Sequence, residues 1–185
     1  SFRTALSGDS KDFMESSSSL MFAFLLAIVL IFLVLSAQFE SFKDPIIVMM
    51  SVPLALTGAL LFMWYFNVIM NIFSQIGLIM LIGLVTKNGI LIVEFANQRK
   101  NAGMTKFEAI RFASAARFRP ILMTSLSTIL GVLPLALGWG EGAQSRVAMG
   151  IAVVGGLTIS TFLTLYVVPA IYIFISSESK KIKNE

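Results

Sequence analysis

The sequence has no cysteine and no histidine among its 185 residues. Disulfides, thiolate chemistry and the commonest transition-metal ligand are excluded together. Charge is also scarce, at 13% of residues against 57% hydrophobic, with a mean hydropathy of +0.87. That composition lies far from a soluble domain and identifies an integral membrane protein. The phosphate-cradling pattern G-x-x-x-x-G-K-[ST] does not occur, so ATP-driven transport has no site in this sequence. Acids are few and, Glu94 apart, fall in loops and near the termini, which without histidine argues against an enzyme. The first nineteen residues, SFRTALSGDSKDFMESSSS, are polar and lack the basic start, short apolar stretch and cleavage site of a signal peptide.

What is present is long apolar runs. Leu20 to Ala37 is eighteen residues without a charge, enough for one helix across a hydrocarbon core about 30 Å thick. Pro45 to Thr86 is again uncharged, too long for one crossing, and Asn67 and Asn71 mark the turn within it. The expected architecture is an all-α bundle of five transmembrane helices, with spans at about 20–37, 46–66, 73–95, 120–137 and 147–175. Pro53 inside the second span is tolerable where neighbours satisfy the freed carbonyl. Pro120 suits the first turn of the fourth, which Pro134 and Gly138 close. Gly150, Gly155 and Gly156, with Ala148 and Ala152, would let the fifth span approach a neighbour closely, and Gly77, Gly83 and Gly89 would do the same for the third.

The connection from Arg99 to Arg119 carries Arg99, Lys100, Lys106, Arg111, Arg117 and Arg119 against the single acid Glu108. It is expected on the cytoplasmic side, as is the tail 177–185 with Lys180, Lys181 and Lys183, leaving the amino terminus outside. This clustering beside apolar segments accounts for the net charge of +4 without a nucleic-acid partner. A polar segment outside the membrane needs an upstream span or signal. Residues 1–19 are therefore expected to end a preceding periplasmic domain, the chain being the later part of something longer or a truncated product. Thr105-Lys106-Phe107-Glu108 matches a capping box, opening a short helix over about 105–116 along the cytoplasmic interface.

Charge inside an apolar span is the main pointer to function. Lys87 lies about midway along the third span, where a lysine costs roughly 2.5–3.5 kcal/mol and usually marks an ion or proton path. Glu94 follows seven residues later, on nearly the same helix face and about 10 Å along the axis, so both charges are expected to look towards one neighbour. Glu94 also lies near Arg99 and Lys100, as an interfacial carboxylate would. Arg117 and Thr124 repeat the offset on the fourth span, although a threonine bonding its own helix backbone is the simpler account of Thr124 alone. Met49, Met50, Met63, Met70 and Met80 invite a copper path, yet form no repeated pair on one face, and adaptable packing explains them better. No metal site and no cofactor are expected.

Three stretches carry a resemblance: GLVTKNGILIVEFANQ from Gly83, RFRPILMTSLSTILGVLPLALG from Arg117 and QFESFKDPIIVMMSVPLALTGALL from Gln38. They closely resemble the resistance-nodulation-division (RND) efflux pumps, in the branch exporting hydrophobic and amphiphilic compounds, and correspond to the last five transmembrane helices of that family's second half. The resemblance implies a proton-driven antiporter of the bacterial inner membrane, working as a homotrimer with a periplasmic adaptor and an outer-membrane channel. The family's relay lysine matches Lys87, its relay threonine Thr124 and its cytoplasmic-side arginine Arg117; beside these, and not as part of the resemblance, Asn88 and Glu94 are expected to be supporting residues. The family pairs that lysine with two adjacent aspartates on a helix of the first half. Here the aspartates are Asp9, Asp12 and Asp44, all outside the expected spans. The missing amino-terminal half is thus an expected partner, alongside the lipid bilayer. The alternatives are a nonfunctional remnant or membrane-packing subunit and, from the methionines alone, a heavy-metal exporter of the same superfamily.

Overall fold

A computed structural model describes the backbone of residues 9–139 and 144–176 and the side chains of 19–139 and 146–176. The amino-terminal residues 1–8, the polar turn with Gly140, Glu141 and Gly142, and the lysine-bearing tail lie outside the described residues. The described chain is all-α: α1 Asp9–Phe39, α2 Lys43–Met49, α3 Ser51–Tyr65, α4 Ile72–Asn101, α5 Lys106–Ala136 and α6 Gln144–Ile175. Five stretches are long and apolar enough to cross a membrane, with α2 and α3 forming one of them.

Local chemistry sets the helix ends. After α3, α4 and α5 the chain turns through a left-handed residue, Asn67 (φ 52°), Gly103 (φ 97°) and Gly138 (φ 72°) respectively. In each case that residue's amide and the next one donate back to the last turn, as in Gly103 to Lys100 and Met104 to Arg99, so carbonyls that the helix leaves free are satisfied. The starts are equally explicit. Asn71 caps α4 by exchanging hydrogen bonds with Ser74, and Thr105 caps α5 through the expected box with Glu108. Both Asn67 and Asn71 thus bound the turn the sequence assigned to them.

The proline expectations are met differently at two places. Pro53 does not sit in an unbroken span: without an amide it cannot donate to the carbonyl four residues back, and the helix is interrupted at Met50 between α2 and α3. Ser51 Oγ donates to the Val48 carbonyl at 2.7 Å beside the interruption. Pro120, expected at a helix start, lies inside α5 instead. The separate helix expected over 105–116 and the fourth span are one rod, because no glycine or asparagine precedes Pro120 to stop a helix already nucleated at Thr105. The first span likewise belongs to a helix that extends back to Asp9.

Helix α6 is the centre of the bundle, packed on α3, α4 and α5. Its small residues make this possible. A side chain at Gly155 would collide with the Phe62 ring, one at Gly156 with Leu81, and one at Gly150 with the Ala136 backbone. Gly77 and Gly89 do the same for α4 against Met149 and Val48, whereas Gly83 faces open space, contrary to the packing role expected of it. Two apolar cores result, one around Ala55, Leu81, Val85, Ala152 and Val153, the other around Ile47, Ile92, Val93, Ile121, Val168 and Tyr172. The methionines weighed as a copper path are dispersed: Met63 fills the first core, while Met50, Met70 and Met80 lie on the outside. Helix α1 is peripheral, exposing Met21, Phe22, Leu25, Val29 and Leu33.

Candidate functional site

Helix α4 carries Lys87 with fifteen residues before it and fourteen after, at about 20 Å from either end by helical rise. No turn chemistry could bring its ammonium to an interface from there. Its side chain is exposed on the flank of the bundle, and among the described residues it has no hydrogen bond or ion pair. It borders a small hollow of about 30 Å³ with Asn88, Thr124, Ser125 and Thr128, room for about one water molecule. Asn88 is buried and donates to Ser125 Oγ at 3.2 Å, joining α4 to α5. Thr124 donates to its own helix at the Ile121 carbonyl, 3.1 Å away. Its oxygen still has lone pairs to offer an ammonium or a water.

The structure therefore brings Lys87, Asn88 and Thr124 together and adds Ser125, which only the packing of α5 on α4 reveals. Arg117 and Glu94 are placed elsewhere. Arg117 is half-buried about 10 Å along α5 from Thr124, with its guanidinium 4.6 Å over the Phe95 ring of α4. Phe95 also takes Arg99 at 5.0 Å, and Arg99 reaches the Phe112 ring at 4.6 Å. Aromatic faces attract guanidinium groups through their quadrupole, so this cluster pins α5 to α4. The Nε of Arg117 is buried without a hydrogen-bond partner among the described residues.

Glu94 does not share a neighbour with Lys87, which corrects the expectation drawn from their seven-residue offset. It lines a hollow of about 370 Å³ with Gln38, Ser41, Asp44, Asn97 and Lys100. The reason is that α4 has different partners along one face: α5 beside Lys87, and the junction of α1 and α2 beside Glu94. Around this hollow lies a polar junction that sequence reasoning missed. Asn97 donates to Asp44 Oδ2 at 2.8 Å and accepts from the Tyr172 hydroxyl at 2.7 Å, while Lys100 donates to Ser176 Oγ at 3.3 Å. Asp44 is 7% exposed, and it opens α2 within the second stretch that can cross a membrane, rather than lying outside it. A carboxylate immediately before proline at the head of an apolar run was the available signal. The junction also gathers the end of α1, the start of α2 and the ends of α4 and α6 at one end of the bundle, beside the start of α5.

Comparison with known proteins now decides what kind of bundle this is. The profile of the AcrB/AcrD/AcrF family matches residues 1–176. The chain belongs to that family, the RND-type multidrug efflux transporters. It is 44% identical over 93% of its length to an uncharacterized transporter of Haemophilus influenzae. To the multidrug resistance protein MdtC of Erwinia tasmaniensis it is 43% identical over 94% of the chain, and to MdtC of Erwinia amylovora 41% over 98%. The chain spans about 17% of the length of the first two of these relatives. It is thus a multi-pass membrane protein of the family's inner-membrane class.

Proposed function

We propose that this chain is the carboxy-terminal membrane portion of a proton-driven drug antiporter, carrying Lys87, Arg117 and Thr124 as its share of the proton relay, with Asn88 and Glu94 in support. The observation that carries the proposal is Lys87: a mid-helix ammonium facing outwards from the bundle with nothing in the described chain to neutralise it. At membrane depth such a charge calls for an opposing carboxylate. The open flank made by Lys87, Gly83 and Thr124 suits a further helix bearing one, supplied by an amino-terminal half with paired aspartates.

The physics of coupling follows. An ammonium holds opposing carboxylates ionised, and their protonation removes the attraction that draws the helices together. Proton binding then changes helix packing. Each charge that crosses the membrane supplies about 2.3 kcal/mol per 100 mV, enough to bias a two-state packing. The working assembly in this reading is a homotrimer in the bacterial inner membrane, joined to a periplasmic adaptor and an outer-membrane channel, with the amino terminus periplasmic and the basic end cytoplasmic. Hydrophobic or amphiphilic compounds are its substrates, and the transport is secondary and active rather than enzymatic.

A drug-accumulation assay in a pump-deficient strain tests this, comparing the chain alone with the chain beside a matching amino-terminal half. Export is expected only with the half, and Lys87→Ala is expected to abolish it without loss of membrane insertion. Full export by the Lys87→Ala protein would sink the relay assignment. Absence of export in every combination, with insertion verified, would favour a non-transporting packing subunit.

A further inference from the structure

Away from the Lys87 flank, the first half of α5 carries a second feature. Arg111, Ala115 and Arg119 follow one another at four-residue steps, which keeps them on one stripe of the helix and separates the two arginines by about 12 Å along the axis. All three are exposed. Two hollows meet at Ala115. One, of about 440 Å³, has Arg111, Phe112 and Met104 in its wall; the other, of about 380 Å³, lies towards α6 and has Arg119, Phe118 and Tyr166. Ala115 lines both. Phe112, Phe118 and Tyr166 are 44%, 45% and 74% exposed. The surface is therefore an apolar trough with a guanidinium at each end.

The depth of the trough fits a lipid headgroup. Helix α5 has 31 residues, about 46 Å of rise, against a hydrocarbon core about 30 Å thick. With its Ala136 end at one boundary, roughly the first ten residues stand beyond the other, so Arg111 and Arg119 bracket the headgroup layer. Basic pockets between transmembrane helices at this level take anionic headgroups, and aromatic side chains gather there. The one acid in the trough, Glu108, is engaged in the α5 cap, its Oε2 accepting from the Thr105 hydroxyl at 2.9 Å.

We propose that this trough binds an anionic phospholipid, with phosphate oxygens accepting from Arg111 and Arg119 and an acyl chain lying over Ala115 against Phe118 and Tyr166. A lipid with two phosphates spans the separation of the arginines best. The site is distinct from the Lys87 flank, since none of its residues borders the hollow beside Lys87.

The test is native mass spectrometry of the full-length protein after exchange into vesicles of phosphatidylethanolamine, with or without cardiolipin. Retained cardiolipin adducts are expected. They should fall about fivefold for Arg111→Gln or Arg119→Gln and about thirtyfold for the double variant, from the usual strength of one basic residue at a lipid surface. Ala115→Trp keeps every charge and fills the trough, and should also remove the adducts while circular dichroism and elution volume stay unchanged. Cardiolipin retained by the double variant, equal retention of phosphatidylethanolamine, or displacement by inorganic phosphate alone would each overturn the proposal. So would an Ala115→Trp protein that keeps its adducts, since plain surface attraction would then explain them, or a wild-type protein with no adduct, since another part of the chain would then cover the trough.

Discussion

Replacing Asn97 by leucine should destabilise the bundle several times more than removing the Tyr172 hydroxyl, although both changes break the same hydrogen bond. In Tyr172→Phe the ring stays in its fully buried slot and no cavity forms. The 2.7 Å bond to Asn97 Oδ1 is lost together with the hydroxyl's contact to the Ser176 side chain, and Asn97 borders the 370 Å³ hollow, where water can take over. Interhelical hydrogen bonds in membranes average about 0.6 kcal/mol, so a loss of about 0.5–1 kcal/mol is expected. Asn97→Leu takes a partner from two groups at once, leaving Tyr172 only the Ser176 side chain. The Tyr172 hydroxyl, buried from water, loses its acceptor at about 1–3 kcal/mol, and the Asp44 carboxylate loses a charge-assisted donor worth about 1.5–3 kcal/mol. A total of about 3–5 kcal/mol follows. Unfolding of the full-length protein in mixed micelles, titrated with a denaturing detergent, would measure both. Combining Asn97→Leu with Asp44→Leu should recover part of the loss, because no buried carboxylate is then left without its donor. Equal destabilisation by Tyr172→Phe and Asn97→Leu, or strict additivity of the Asp44 and Asn97 changes, would refute the junction as a stabilising unit.

Other outcomes follow from the same packing. Gly156→Val should lose about 1–3 kcal/mol or fail to assemble, since the added methyls overlap Leu81. Gly83→Leu, on a helix face with open space, should leave stability within about 0.5 kcal/mol as exposed substitutions do, yet abolish export in the assembled transporter by occupying the flank a partner helix needs; thermal unfolding and drug accumulation, measured side by side, separate the two effects. Thr105→Ala removes the hydroxyl half of the α5 cap and should cost about 1 kcal/mol, read as faster amide exchange confined to the first turns of α5.

The sequence by itself determined the parts of this protein that depend on neighbouring residues. Uncharged runs announced five stretches long and apolar enough to cross a membrane, because bilayer thickness alone selects their length. Asn67 and Asn71 announced the turn between α3 and α4, Thr105 and Glu108 announced the start of α5, and the glycines of α6 announced its close approach to other helices. Each is a matter of a few bonds along the chain. Lys87 was conspicuous for the same reason, since its cost depends on depth and needs no knowledge of neighbours. Tertiary structure alone decided which groups meet. Lys87 and Glu94 share a face of α4, yet one meets α5 and the other meets α1 and α2. Asp44, remote in sequence from Asn97 and Tyr172, is buried beside Asn97, which links it to the Tyr172 hydroxyl, and Arg117 rests on Phe95 rather than reaching Thr124. Those pairings follow from how rods of fixed length pack where small residues let them touch, and helical periodicity carries a residue's direction but not the identity of the helix it faces.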